Sequence, residues 1–239
     1  MDYMTSPRQF LRQILTQDDI ASLIYLEVLF GILFSIWSLI AFLYITNAVV
    51  HKETVFWDNY ILQTVLLLRA TWLTPVMLFM SFLGSEAVVF GSIVVILFLS
   101  LKKHRRETFI FSILLLLGVV ATTFLKLSYE VPRPSVLPLA IERSYSYPSG
   151  HALNSLLFYS TISYFIYHLT KDKKKAIISF TITGILIGLI GLSRVYLGVH
   201  YPSDLLAGYI AGFWLFITAI LIDRTVMFFK LIRETPTNQ

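Results

Sequence analysis

The sequence predicts an all-α, polytopic membrane protein with six transmembrane helices and one extracytoplasmic interfacial helix. More than half of the 239 residues (56%) are hydrophobic and only 14% are charged, and the mean hydropathy is +0.74. The apolar residues also come in long runs that are apolar on every face, as helices surrounded by lipid and by one another require. No stretch is polar enough for a separate soluble domain, so residues 24–229 are expected to form a single membrane domain between cytoplasmic segments 1–23 and 230–239. The chain has no cysteine, which excludes disulfides and thiolate metal sites. Its net charge of +5 comes without a basic run interleaved with aromatics, the pattern of a single-strand nucleic-acid platform, so nucleic acid is not an expected partner.

Residues 1–19 are polar and mixed in charge, and no small-residue cleavage site follows the first apolar run, so a loose tail rather than a signal peptide is expected. The first span, 24–45, is long enough to cross about 30 Å of hydrocarbon. Over 49–72 the pattern changes. Trp57, Ile61, Val65, Leu68 and Trp72 recur at helical spacing while Asp58, Asn59, Gln63 and Arg69 fall elsewhere, which predicts an interfacial helix with aromatic anchors. The run 75–101 is interrupted by Gly84-Ser85-Glu86. A continuous helix would set Glu86 in mid-membrane at about 2.5 to 3.5 kcal/mol, so a break at Gly84-Ser85 is expected, with Glu86 capping the start of a crossing at 87–101.

The third span, 109–125, follows the basic turn Lys102-Lys103-His104-Arg105-Arg106 and leads to Lys126. Between Ser128 and Tyr147 the prolines Pro132, Pro134 and Pro138 rule out a helix and predict a structured loop. The fourth span (152–169) ends in Lys171-Asp172-Lys173-Lys174-Lys175. The fifth (176–192) carries Gly184, Gly188 and Gly191, and the sixth (205–222) carries Gly208 and Gly212; these glycines are expected to let helices approach closely. With six spans and an internal N-terminus, thirteen of the 19 Lys and Arg residues fall on the inner side, among them Arg8, Arg12, Arg224, Lys230 and Arg233. The outer side holds Lys52, Arg69, Lys126, Arg133, Arg143 and Arg194, so both termini are expected in the cytoplasm of a multi-pass plasma-membrane protein.

Charge recurs where an apolar chain should avoid it. Ser193-Arg194 is followed by His200 and Asp204, Lys126 by Arg133-Pro134, and Tyr147-Pro148-Ser149-Gly150-His151 opens the fourth span. Ionisable groups at a membrane edge are functional candidates by default. Together these stretches read Lys-x6-Arg-Pro, Pro-Ser-Gly-His and Ser-Arg-x5-His-x3-Asp. In that order and spacing they resemble the three-part signature of the type 2 phosphatidic-acid phosphatase superfamily, over roughly the C-terminal half of the chain. The signature region is 126–204.

The resemblance implies a lipid phosphatase in which His200 attacks phosphorus. Asp204 would hold the imidazole through its other nitrogen, and His151 would act as acid and then base. Lys126, Arg133, Arg194, Ser149 and Gly150 would bind the phosphoryl group. The residue types suit those roles: guanidinium forks match phosphoryl oxygens, and unpaired N–H groups at a helix start attract anions. Spacing alone does not say which histidine is the nucleophile. With three cations available, no metal and no cofactor is expected, and the expected partners are a lipid phosphate and membrane lipids, with no obligate protein partner. Undecaprenyl diphosphate, phosphatidylglycerol phosphate, phosphatidic acid and diacylglycerol diphosphate share the reacting end, and the compact chain favours the first two. Glu130, Glu142, Lys52, His51 and His168 are assigned no chemistry. Two rivals are weighed. Vanadate-dependent haloperoxidases resemble the family in fold but are soluble, and a non-catalytic lipid-phosphate binder or transporter would be expected to lose His200 or His151.

Overall fold

The computed structural model describes the backbone from Gln17 to Glu234 and the side chains from Tyr25 to Val226. Of the expected flanking segments, residues 1–16 and 235–239 lie outside the described residues, as do the side chains of Arg8, Arg12, Lys230 and Arg233. Among the described residues the regular structure is helical: α1 (Gln17–Val50), α2 (Val55–Leu66), α3 (Leu73–Leu83), α4 (Glu86–Leu101), α5 (Arg105–Tyr129), α6 (Gly150–Thr170), α7 (Lys173–Tyr196) and α8 (Pro202–Glu234). Five segments are long and apolar enough to cross a membrane: Tyr25–Val50, Leu73–Leu101, Arg105–Tyr129, Lys173–Tyr196 and Pro202–Val226. The chain is therefore a multi-pass membrane protein.

The expected fourth span forms α6 but falls outside that apolar set, for a physical reason. Ten of its residues are buried, among them Ser155, Ser160, Thr161 and Ser163. Ser163 Oγ shares hydrogen bonds with Ser179 Oγ (2.7 Å) and Thr183 Oγ1 (2.8 Å) of α7. A helix wrapped by protein can carry hydroxyls where one facing lipid cannot.

Among the described residues, 17–36 and 217–234 form one compact unit, and residues 37–216 a second. Within the first, Ser35 Oγ and Thr218 Oγ1 share a hydrogen bond of 2.9 Å. Within the second, α6 carries the core: Leu153 and Leu157 are fully buried, and Phe158 packs on Phe111 of α5 with ring centroids 5.8 Å apart. Gly208 and Gly212 behave as expected. A Cβ on Gly208 would lie 2.6 Å from the Ser149 carbonyl oxygen, and one on Gly212 3.0 Å from that of Leu153, so α8 rests directly on the backbone of α6. Gly191 likewise makes room for the Tyr209 ring, but Gly184 and Gly188 face open space and do no packing, contrary to expectation.

The expected interruption at Gly84-Ser85 separates α3 from α4, and Glu86 opens α4. The freed carbonyl of Leu83 accepts from Tyr159 Oη at 2.8 Å, which is how a broken helix is tolerated at membrane depth. The 49–72 pattern forms a shorter helix than expected, α2 alone, with the aromatic stripe outward: Trp57, Leu68 and Trp72 are exposed while Asp58 and Leu62 are buried. Asp58 accepts from Ser203 N (2.9 Å) and Ser203 Oγ (2.7 Å). A carboxylate from the polar set thus caps the start of α8, and its loss would leave buried donors unmade at about 1–3 kcal/mol.

Candidate active site

Three chain segments bring the expected residues together. The first is the last turn of α5, which carries Lys126 and closes on Glu130 in the left-handed conformation (φ 48°), its N–H returned to Lys126 O at 3.1 Å. The chain then runs through Arg133 to Tyr147 and is pinned where Ser146 N donates to Val131 O (2.8 Å). The second segment is the start of α6, where Ser149 is the N-cap. Its Oγ accepts from Ala152 N at 3.4 Å and its N–H donates to Asp204 O at 3.0 Å. Ser149 thus spends its own polar groups holding the helix start against α8. The third is the turn from α7 to α8, which Gly198 reverses with φ +73°; a Cβ there would lie 2.8 Å from Arg69 Nη2 and 3.0 Å from Val136 O.

His200 sits at the end of that turn, 1% exposed. Its Nδ1 is 3.2 Å from Asp204 Oδ2 and its Nε2 is 3.2 Å from Arg133 Nη1. A guanidinium can only donate, so Nε2 must be the acceptor and the ring proton must lie on Nδ1, toward the carboxylate. Asp204 Oδ2 also accepts from Ser146 Oγ (2.5 Å) and Tyr201 N (2.8 Å), while Oδ1 is buried without a partner. Burial, reinforced by Arg133, Arg194 and Lys126, holds the His200 imidazolium well below its ordinary pKa, so the ring is neutral at neutral pH and its Nε2 lone pair accepts from Arg133.

The cations are heavily engaged. Arg133 donates from Nε to Ser144 O (2.7 Å), from Nη1 to Val199 O (2.7 Å) and from Nη2 to Ser144 Oγ and Tyr145 O (both 3.2 Å). Lys126 Nζ donates to Tyr145 O. Arg194, 1% exposed, donates from Nη1 to Ser81 Oγ and from Nη2 to Glu142 Oε1, leaving Nε buried without a partner. Glu142 Oε2 also lies 3.6 Å from Arg133 Nη2. Glu142, assigned no chemistry from the sequence, therefore bridges two of the three expected phosphate-binding cations. Arg194 is buried while Glu142 keeps about a quarter of its side chain exposed, so the carboxylate compensates a buried charge from the cavity side.

A cavity of about 700 Å³ opens at this point. Lys126, Arg133, Glu142, Gly150, His151 and His200 line its polar end, and Val88, Val89 and Ile96 of α4 with Leu115, Leu116 and Val119 of α5 line its apolar length. Ser149, Arg194 and Asp204 stand behind that wall. Asp204 instead borders a smaller cavity of about 270 Å³ shared with Lys52, Asp58 and Glu130. Sequence reasoning missed Ser81, Ser144 and Ser146 along with Glu142. None sits in a motif; the one available signal is that an anion, Glu142, lies in the loop between two cation-bearing segments.

The PAP2 superfamily profile matches residues 107–227. Phosphatidylglycerophosphatase B of Bacillus subtilis is 33% identical over 197 residues, which span 81% of this chain and 97% of that protein. An undecaprenyl-diphosphatase of Sulfolobus acidocaldarius is 38% identical over 81 residues, about a third of either chain (34% and 35%). The crystal structure of the transmembrane PAP2-type phosphatidylglycerolphosphate phosphatase from Bacillus subtilis superposes with a TM-score of 0.75 at 29% identity, covering 80% of this chain and 96% of that one. A neutral histidine oriented by a carboxylate at the cationic end of an apolar cavity thus coincides with a profile over half of the chain, and the chain belongs to the PAP2 superfamily of membrane lipid phosphatases.

Proposed function

We propose that the chain hydrolyses the terminal phosphate of a lipid phosphate or diphosphate through a phospho-histidine on His200. The observation that carries this is the tautomer imposed on His200: a neutral ring with Nδ1–H directed to Asp204 and the Nε2 lone pair directed to the cavity end where Lys126 and Arg133 gather. In the reaction, Arg133 Nη1 leaves Nε2 for a phosphoryl oxygen, and Nε2 forms the bond to phosphorus as the phosphorus–oxygen bond to the leaving group breaks. His151, on the same cavity, gives the departing oxygen a proton. Asp204 stabilises the imidazolium ring that results. Water then attacks phosphorus, His151 takes the water's proton, and the nitrogen–phosphorus bond breaks to release phosphate and restore His200.

Arg133, Lys126 and Arg194 supply the positive charge that a dianionic group requires, supported by Gly150 at the start of α6, which Ser149 caps without turning its own donors to the cavity. On that ground the reaction is proposed to need no metal and no cofactor. The apolar length of the cavity suits an acyl or prenyl tail. The resemblance to phosphatidylglycerophosphatase B over nearly that protein's full length favours phosphatidylglycerol phosphate, with undecaprenyl diphosphate next.

In this reading α6 is a sixth crossing, since its 21 residues reach about 31 Å, and α2 rests at the extracytoplasmic surface with its exposed aromatics toward the headgroups. Residues 24–229 then act as one membrane domain, the cation bias puts both termini in the cytoplasm, and the site faces outward. The test is phosphate release from phosphatidylglycerol phosphate, undecaprenyl diphosphate, phosphatidic acid and diacylglycerol diphosphate in detergent, with and without EDTA. Wild type should turn over in EDTA, and His200→Ala and Asp204→Asn should lose activity by about 10³-fold or more while remaining folded. Full activity in His200→Ala would end this mechanism, and loss on chelation would end its metal independence.

A further inference from the structure

We propose that Glu142 is an internal competitor of the substrate phosphoryl group. In the resting protein it occupies the cations, and it must be displaced for the lipid phosphate to bind. This rests on the function proposed above and adds to it how access to the site is governed.

Four observations carry the idea. Glu142 is the carboxylate that reaches both arginines, with Oε1 on Arg194 Nη2 and Oε2 3.6 Å from Arg133 Nη2. Two oxygens spread across two guanidinium groups reproduce the way two phosphoryl oxygens would be held. Glu142 also lines the same cavity as His200 and His151, so the competing oxygens occupy the space the substrate head must enter. The chain that follows it is closed over the remaining donors: Lys126 and Arg133 both donate to Tyr145 O, and Arg133 to Ser144 O. Lastly, Arg194 retains a buried Nε without a partner, a donor still unused after Glu142 has engaged.

The arrangement has a chemical logic. A guanidinium as buried as Arg194 cannot be left bare between turnovers, because an uncompensated charge at that depth is strongly unfavourable. A carboxylate on a proline-punctuated external loop satisfies it and withdraws when a dianion arrives. One negative charge yields to about two, so the exchange favours the phosphate. When orthophosphate leaves, Glu142 returns and shortens its residence.

The test compares wild type with Glu142→Gln, which keeps a hydrogen-bonding partner for Arg194 and removes the competing charge. Inhibition by orthovanadate and by orthophosphate is measured alongside KM for phosphatidylglycerol phosphate. We expect both Ki values and KM to fall by about tenfold together, as for the loss of a charge-assisted contact, with the change carried by KM rather than by a rise in kcat. A residue that merely held Arg194 in place would raise KM and both Ki values, and either that result or unchanged values overturns the proposal. Should Glu142→Gln not fold, Glu142→Asp, which keeps the charge but shortens the reach across the two arginines, is expected to lower the vanadate Ki by a smaller factor, and an unchanged Ki again overturns it. If wild type neither binds vanadate nor releases phosphate from any lipid, the proposed function itself fails; if wild type does both and the variant matches it, only the role of Glu142 fails.

Discussion

Helices α4 and α6 border the same cavity and are built on opposite principles. Along α4, Val88 and Leu99 are the buried residues, and Phe90, Ile93, Val94, Leu97 and Phe98 are exposed as residues facing lipid are. Along α6, ten residues are buried, several of them hydroxylic, and the helix start is capped by Ser149 and bonded to the backbone at Asp204. The difference separates two tasks. A helix that must hold His151 and Gly150 to within a fraction of an ångström is wrapped in protein, whereas a helix that forms the apolar wall needs only to be apolar and long enough.

That contrast can be broken most severely through Gly208. A Val at 208 would drive its Cβ into the Ser149 carbonyl, now only 2.6 Å from that position, and should shift the α6 start. A destabilisation of about 1–3 kcal/mol and a loss of activity near a hundredfold are expected from thermal melts and phosphate release; a Gly208→Val protein with normal turnover would mean that α6 is not held as tightly as described.

A smaller effect should come from pH. Burial keeps His200 unprotonated in the folded chain, while the unfolded chain takes up a proton near pH 6.5. Below that pH the unfolded state binds more protons than the folded one, so stability should fall as pH drops from about 6.5 toward the depressed folded value. Melting temperatures at pH 7.5 and 5.5 should show the decline, and His200→Gln should make it shallower; equal slopes in the two proteins would show that another group governs. Least of all should be felt on α4: Val94→Leu, on a side chain 65% exposed, should change stability by no more than about 0.5 kcal/mol and leave turnover intact.

The same contrast explains what could be read from the chain alone. Runs of apolar residues are helical because lipid imposes composition, so all the expected spans are helices, with ends extended by a few residues where polar turns such as Lys173-Lys174-Lys175 and that of Lys126 still belong to the helix. The break at Gly84-Ser85 was legible because a mid-membrane Glu86 is so unfavourable. The aromatic stripe of α2 is exposed, as anchors require, but the burial of the opposite side, which carries Asp58, was not legible because its partner Ser203 lies 145 positions away.

In the site, Lys126, Arg133, His151 and His200 were legible as a set because charge in an apolar chain is conspicuous, and they do share one cavity. Glu142 and Ser146 were not, since Arg194 lies 52 positions from Glu142 and Asp204 lies 58 from Ser146. No periodicity reports pairings made by a loop folding back over the ends of three helices. The glycines of α7 carry the converse lesson: small residues permit close approach, but nothing approaches Gly184 or Gly188.

The most direct test of His200 as nucleophile is to quench turnover of a lipid phosphate radiolabelled in its terminal phosphoryl group and locate the protein-bound label. An acid-labile, alkali-stable label on the peptide containing His200, absent from His200→Ala, is the predicted result. Hydrolysis without any protein-bound label, or a label on His151, would contradict it.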